Sequence, residues 1–229
     1  VELMKQVEEK MYMKVTSVYG LTETAPGMTA SRIDDPFDVR CNTVGHDFEF
    51  TEVKVIDPET GEECPVGVQG EMCNRGYNTM KGYYKNPEAT AQIIDANGWL
   101  HTGDLGTIDD EGYVTVRGRS KNLLLTSSGQ NIYPEEIESK LNNMPYVAES
   151  LIVLQHDKLV ALIYPDFDDA FAHGLQQNDI QKAMEVNRVE LNQQLPNYCQ
   201  ISKIKIHFEE FEKTAKKSIK RFMYQEAKG

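Results

Sequence analysis

The chain opens on a helical pattern of apolar residues, passes into a long stretch of alternation broken by glycines, and returns to helices set between strands. Leu3, Val7 and Met11 recur among charges and predict one amphipathic helix over residues 2–13. Val15 to Tyr19 reads as a short strand, stopped at Gly20. Residues 44–118 read as a mostly antiparallel β region. Within it Glu52 to Ile56 alternates, Asp57 to Gly61 is a hairpin-type turn, and Met72 to Arg75 and Tyr113 to Arg117 are further strands. Glu88 to Ile94 reads as a short helix after Pro87, and the aromatics around it read as core packing. Beyond residue 122 come a short buried strand at Leu123–Leu125 and a helix opened by Pro134, Glu135 and Glu136, which suit a helix start. Strands are expected at 147–154 and 158–164, a helix at 178–194 on Ile180, Met184 and Leu191, and a strand from Ile201 to Phe208. No internal repeat or low-complexity segment interrupts the order. The pattern is α+β: a distorted β-barrel region over about 40–118, then a small α+β domain of sheet and flanking helices.

Composition narrows the class. With 40% hydrophobic and 26% charged residues, the 229-residue chain is neither disordered nor membrane-embedded. No run approaches the roughly 20 apolar residues needed to span a bilayer, which leaves only peripheral membrane contact. A net charge of -12 argues against nucleic acid as a partner. Lys213, Lys216, Lys217, Lys220 and Arg221 nevertheless crowd the C-terminus, as a solvated end or a contact for an acidic ligand. Cys41, Cys64, Cys73 and Cys199 form no CxxC pair and have no nearby histidine at metal-ligand spacing. They read as reduced thiols of a cytoplasmic protein. The chain starts at Val1 inside a helical pattern, as expected of a piece of something longer.

Three stretches carry candidate chemistry. Tyr19-Gly20-Leu21-Thr22-Glu23-Thr24 follows a strand and offers a hydroxyl and a carboxylate side by side, suited to a phosphate and to Mg²⁺, or else to capping a turn. Asp104, in His101-Thr102-Gly103-Asp104-Leu105-Gly106, is a carboxylate between glycines that a ribose diol can approach closely. Gly118-Arg119-Ser120-Lys121-Asn122 places two cations at the seam of two differently built regions, as a ligand contact or as a plain connector. A hairpin from Asp104 to Arg119 sets those two residues near one another.

Together the runs YGLTET, GYYKNPEAT, GWLHTGDLG, GRSKN and SSGQNIYPEEIE, in that order, resemble the adenylate-forming acyl-CoA synthetases. The last two look most like the long-chain fatty acid–CoA ligase branch. The resemblance implies a ligase in which a carboxylate takes AMP from ATP and a thiol, usually that of coenzyme A, then displaces AMP. In that role Tyr19 would stack on adenine beside Gly20, and Thr22 would contact phosphate. Glu23 would hold Mg²⁺, and Asp104 and Arg119 would bind the ribose. Lys121 would be the hinge between the last part of the large adenylating domain (1–120) and a small mobile domain (121–229). Gly129, among hydroxyl-bearing neighbours, would line the pantetheine path.

Two departures accompany the resemblance. The family's Ser/Thr/Gly-rich phosphate loop is absent from these residues, and with it most of the acyl pocket, so the chain by itself is not expected to catalyse. The family's Pro-Lys-Thr-x-x-Gly-Lys-Ile pattern appears as Glu212-Lys213-Thr214-Ala215-Lys216-Lys217-Ser218-Ile219, with Ser218 where the adenylation lysine stands. Lys217 or Lys216 is the candidate substitute. Two alternatives stay open: a degenerate nucleotide- or acyl-binding relative, and an adenylation domain that loads a carrier protein.

Overall fold

In the computed structural model, residues 2–127, 129–215 and 217–225 are described. Ser128, a hydroxyl-bearing neighbour of Gly129, and Lys216 lie outside them. Backbone contacts divide the chain into two compact units, Val1–Lys121 and Asn122–Gly229.

The first unit begins with helix α1 (Glu2–Met11). It stops short of the expected residue 13 because Tyr12 turns to a left-handed φ of 54°. Glu8 ties α1 down: its carboxylate pairs with the buried guanidinium of Arg40 and accepts the Val15 amide at 2.8 Å. Arg40 belongs to a helix the pattern does not announce, α2 (Phe37–Asn42). The expected Val15–Tyr19 strand shrinks to β1 (Val18–Tyr19), which pairs with β2 (Thr29–Ala30), itself paired with β3 (His46–Asp47). Next to it lies an antiparallel sheet of β4 (Thr51–Ile56), β5 (Gly70–Gly76), β6 (Leu100–Ile108) and β7 (Val114–Arg119), in that spatial order. β4 and β7 stay as the two outer strands, so the expected distorted barrel is an open sheet, joined to the smaller one where Val44 and Gly45 exchange hydrogen bonds with Val114. Met28, Val55, Met72 and Val114 form the buried core under it. On the opposite face Trp99 lies between two cations, 4.1 Å from Lys54 and 4.5 Å from Arg75. Helix α3 (Pro87–Ala91) is capped by the Asn86 side chain, which accepts the Ala89 amide.

In the second unit β8 (Leu124–Leu125) and β9 (Asn131–Ile132) form a small ladder before helix α4 (Pro134–Leu141), which has Pro134 in its first turn. A three-stranded sheet follows: β10 (Val147–Gln155), β11 (Lys158–Pro165) and β12 (Ile201–Ile206). β10 and β11 are an antiparallel hairpin. β12 joins β11 in parallel, a crossover made by α5 (Phe167–Ala172) and α6 (Gln177–Gln194). Because β11 is central and covered on both faces, Leu159–Ile163 reads as a continuous apolar run rather than an alternation. One face packs Ile152, Ala161 and Ile163 against Leu141, Met184 and Leu191. The other packs Leu151, Val153, Val160 and Leu162 on Phe211, with Ile219 and Tyr224 at its margin.

The segment around Arg221 is clamped to this unit by a buried ion pair. Glu138 of α4 accepts the Ile152 amide at 2.7 Å and binds both guanidinium nitrogens of Arg221. Burial pushes the Glu138 carboxyl up, and the Arg221 guanidinium opposes that shift. Removing one partner of a buried pair leaves an uncompensated charge, so Arg221→Ala should cost about 3–5 kcal/mol. Replacing both partners while keeping an acceptor for the Ile152 amide (Arg221→Met with Glu138→Gln) should recover most of that loss. Chemical denaturation followed by far-ultraviolet circular dichroism checks both values.

Candidate nucleotide site

Strand β1 ends at Tyr19, and the next residue can only be glycine. A Cβ on Gly20 would lie 2.0 Å from the Pro26 carbonyl oxygen. The backbone then makes a single 3₁₀ turn over Thr22–Thr24, locked by Thr24, whose hydroxyl receives the Leu21 amide at 2.9 Å. This buries Thr24 and turns Thr22 outward. Glu23 is half-buried; its Oε1 accepts the Tyr83 hydroxyl at 2.8 Å, and its carbonyl accepts the Met80 amide at 2.8 Å. That hydrogen bond to the carboxylate holds the Tyr83 phenol above its ordinary range. Tyr83, Lys81, Lys85 and Thr90 line an open cleft of about 800 Å³.

Asp104 sits on β6 opposite Arg119 on β7. Gly103 adopts φ +69°, so the chain turns just before the carboxylate. The Asp104 side chain is only 7% exposed, and two donors converge on it. Arg119 Nε reaches Oδ1 at 2.7 Å and the Tyr19 hydroxyl reaches Oδ2 at 2.5 Å. Below it the Thr102 hydroxyl accepts the Asp104 amide at 3.0 Å and donates to the Met72 carbonyl at 2.7 Å. A carboxylate accepts about four hydrogen bonds, so holding these donors is compatible with receiving a diol. Burial, and next the Asp104 charge, push the Tyr19 phenol far above its usual value. Tyr19 is thus a fixed neutral donor.

The structure therefore gathers Tyr19, Gly20, Asp104 and Arg119 into one cluster, with Thr22 and Glu23 on the turn that follows. Lys121 is exposed in a 3₁₀ turn at the boundary of the two units. Gly129, Lys217 and Ser218 belong to the second unit. Gly129 has φ +77° and open space around its missing Cβ. Lys217 occupies the glycine position of the motif and has the left-handed φ of 61° that suits glycine. Its amide reaches the Thr214 carbonyl at 2.9 Å in a hairpin closed by Lys213 and Ile219. Lys213 is held by Glu149 (2.9 Å) and Glu210 (3.3 Å), and Lys220 by Glu212 (3.4 Å). Among the described residues the exposed Lys217 ammonium has no carboxylate partner.

Two further contacts were not legible beforehand. The Tyr83 bond to Glu23 spans sixty residues. Glu71 Oε1 accepts the Gly103 amide at 2.9 Å, holding the turn that carries Asp104. The four cysteines are free, but strand register brings His101 to Cys73, a neighbour that sequence spacing did not show. Among the described residues no helix is long and apolar enough to cross a membrane.

The chain is similar to known proteins over both of its units. A family model described as AMP-binding enzyme matches residues 1–84, and its companion, AMP-binding enzyme C-terminal domain, matches 121–227. The chain belongs to the AMP-binding enzyme family. Among its relatives is YngI of Bacillus subtilis (strain 168), whose name proposes an acyl-CoA synthetase; it is 46% identical over 153 residues, 66% of this chain and 28% of YngI. Another is the 4-coumarate–CoA ligase of Vanilla planifolia, 39% identical over 147 residues, 63% of this chain and 26% of the relative. The chain spans about a quarter of the length of the curated relatives it matches. Among solved structures, the O-succinylbenzoate coenzyme A synthetase of Bacillus subtilis in complex with AMP aligns with TM-score 0.79 at 25% identity, over 99% of this chain and 44% of that one. ATP-bound MatB from Rhodopseudomonas palustris aligns with TM-score 0.74 at 29% identity, over 97% and 42%. The mixed α+β fold is that of adenylating enzymes.

The upward shift of Tyr19 gives a direct test. An ordinary phenol titrates near pH 10, whereas this one stays protonated well beyond that. The tyrosinate absorbance of the chain and of Tyr19→Phe should coincide between pH 9 and 11. A curve lower by about one of the eleven tyrosines in the variant would show that Tyr19 ionises normally.

Proposed function

We propose that the protein carrying this chain is an ATP-dependent carboxylate–CoA ligase that acts on a fatty acid. The observation that supports this most is the Tyr19–Asp104–Arg119 cluster, a buried carboxylate aimed by two donors, in a chain of the AMP-binding family. The Asp104 carboxylate would accept the two ribose hydroxyls of ATP and its adenylate, with Arg119 beside them. Thr22 would donate its hydroxyl to phosphate. Glu23, a half-buried oxygen donor steadied by Tyr83, suits Mg²⁺, which favours one or two carboxylates plus phosphate oxygens. Bound there, the ion would neutralise charge on the phosphates.

In the first half-reaction a substrate carboxylate oxygen bonds to the α-phosphorus while the bond to pyrophosphate breaks. In the second, a thiol sulfur bonds to the acyl carbon, AMP leaves with the bonding pair, and the thiol proton goes to solvent. Both need positioned charge more than covalent participation by the protein. Residues 1–120 would be the end of the large adenylating domain, and 121–229 the small domain that turns about Lys121. The open Gly129 turn suits a thin pantetheine chain. The fatty-acid choice rests on the GRSKN and SSGQNIYPEEIE runs, and the rat medium-chain acyl-CoA ligase among the relatives agrees with it. The reduced thiols fit a cytoplasmic setting.

Ser218 supports a second reading, a relative that binds nucleotide without adenylating. Of the two candidate substitutes, Lys217 is the one the structure describes, and it is exposed, whereas the neighbouring Lys213 and Lys220 are engaged by carboxylates. In the full-length polypeptide, Lys217→Ala should lower fatty-acid-dependent ATP–pyrophosphate exchange by about 100-fold or more, the scale of losing one positioned charge donor. Ser218→Lys should change it by less than about threefold. The opposite outcome, a harmless Lys217→Ala and a large gain from Ser218→Lys, selects the degenerate reading.

Lys121→Pro tests the pivot, because proline fixes φ and removes one rotation. One half-reaction should survive and the other fall at least about tenfold. Adenylate formation is read by pyrophosphate exchange, and thioester formation by single turnover from preformed acyl-adenylate.

A further inference from the structure

Outside the nucleotide cluster, the polar face of the four-stranded sheet holds a nitrogen, a sulfur and an oxygen donor pointed at one place. Glu71 and Cys73 are two apart on β5, so they share a face. Register pairs Cys73 with His101 on β6, and the ladder shifts between Glu71↔Leu105 and Cys73↔His101, with the extra residues on β6. His101 Nδ1 lies 3.0 Å from Glu71 Oε2 and 3.7 Å from Cys73 Sγ. All three donor atoms fall within 4.8 Å of one another.

We propose that Glu71, Cys73 and His101 form a binding site for one zinc-class divalent cation. Zinc bonds of about 2.0–2.3 Å at tetrahedral angles place neighbouring donors roughly 3.4–3.6 Å apart. Two of the separations are already close to that, and the third needs about an ångström of side-chain movement at most. The donor set selects the ion: thiolate and imidazole suit zinc, whereas Mg²⁺ and Ca²⁺ take oxygen alone. The site is thus separate in chemistry from Glu23. Cys73 is fully buried, while the His101 and Glu71 side chains are 31% and 16% exposed, so the triangle opens to solvent on one side. Three protein ligands leave a fourth position for water.

On binding, the Cys73 S–H bond breaks, its proton passes to buffer, and the sulfur–metal bond forms. His101 offers its Nδ1 lone pair with the ring proton on Nε2. Glu71 coordinates through Oε2 and keeps Oε1 on the Gly103 amide. The ion would therefore cross-link β5 to β6 and brace the turn before Asp104 without touching the nucleotide.

Cobalt(II) is the probe. Titrating the chain with Co²⁺ should give one equivalent bound, with a thiolate-to-cobalt charge-transfer band in the near ultraviolet that Zn²⁺ abolishes. Cys73→Ser should remove the band, and His101→Asn and Glu71→Gln should each weaken binding at least tenfold. No charge-transfer band, or a band that persists in Cys73→Ser, overturns the site. If Cys73→Ser loses its native circular dichroism, the partly exposed His101 decides: unchanged Co²⁺ affinity in His101→Asn overturns the proposal, and a tenfold loss supports it.

Discussion

The first unit is organised around one carboxylate that is buried and paired. Asp104 is removed from water, a costly position for a charge unless donors compensate it. Compensation comes from two other places in the chain: the end of β1 supplies the Tyr19 hydroxyl and the end of β7 the Arg119 guanidinium. The Arg119 side chain is 44% exposed, so this pair adds little to stability and a great deal to position. The surrounding choices follow. Gly20 lets the chain pass Pro26, Gly103 lets it turn before the carboxylate, and Thr102 anchors the backbone beneath.

The second unit solves a different problem. Its central strand is covered on both faces, which gives a dry three-stranded sheet but leaves the last segment of the chain with only a few apolar anchors. Phe211, Ile219 and Tyr224 provide those anchors, and the Arg221–Glu138 pair supplies the rest. The hairpin between them accepts a left-handed Lys217, a conformation that costs a non-glycine residue about 1–2 kcal/mol. An ammonium group at that tip is thus held at some expense in backbone energy.

Much of this was legible beforehand, for local reasons. The long helix expected at 178–194 starts one residue earlier, and Ile180, Met184 and Leu191 are buried on its inner face as read, with Asn187 among them donating to the Pro145 carbonyl. The hairpin pair of residues 147–154 and 158–164 matches β10 and β11 to within a residue, since both strands are buried runs flanking a polar turn. The meeting of Asp104 and Arg119 followed from one hairpin. The failures are equally physical. Helices α2 and α5 have six residues each, too short for a period to show. The strand from Val15 shortened because Arg40 takes the Val15 carbonyl at 2.6 Å and Glu8 its amide, leaving nothing for a ladder. The sheet stays open because barrel closure depends on pairing between its outer strands, which no local pattern encodes. The contacts of Glu23 with Tyr83 and of Cys73 with His101 arise from register between distant segments.

Trp99 is the only tryptophan of the chain, and it lies wedged between Lys54 and Arg75 on the sheet face of the first unit. Two flanking cations polarise an indole strongly, so its emission colour reports whether β4 and β5 are still in place beside it. The second unit carries no such fluorophore. Light excited selectively from the indole therefore follows the melting of one half of the molecule while the other half remains dark, and the two halves can be separated optically without a label.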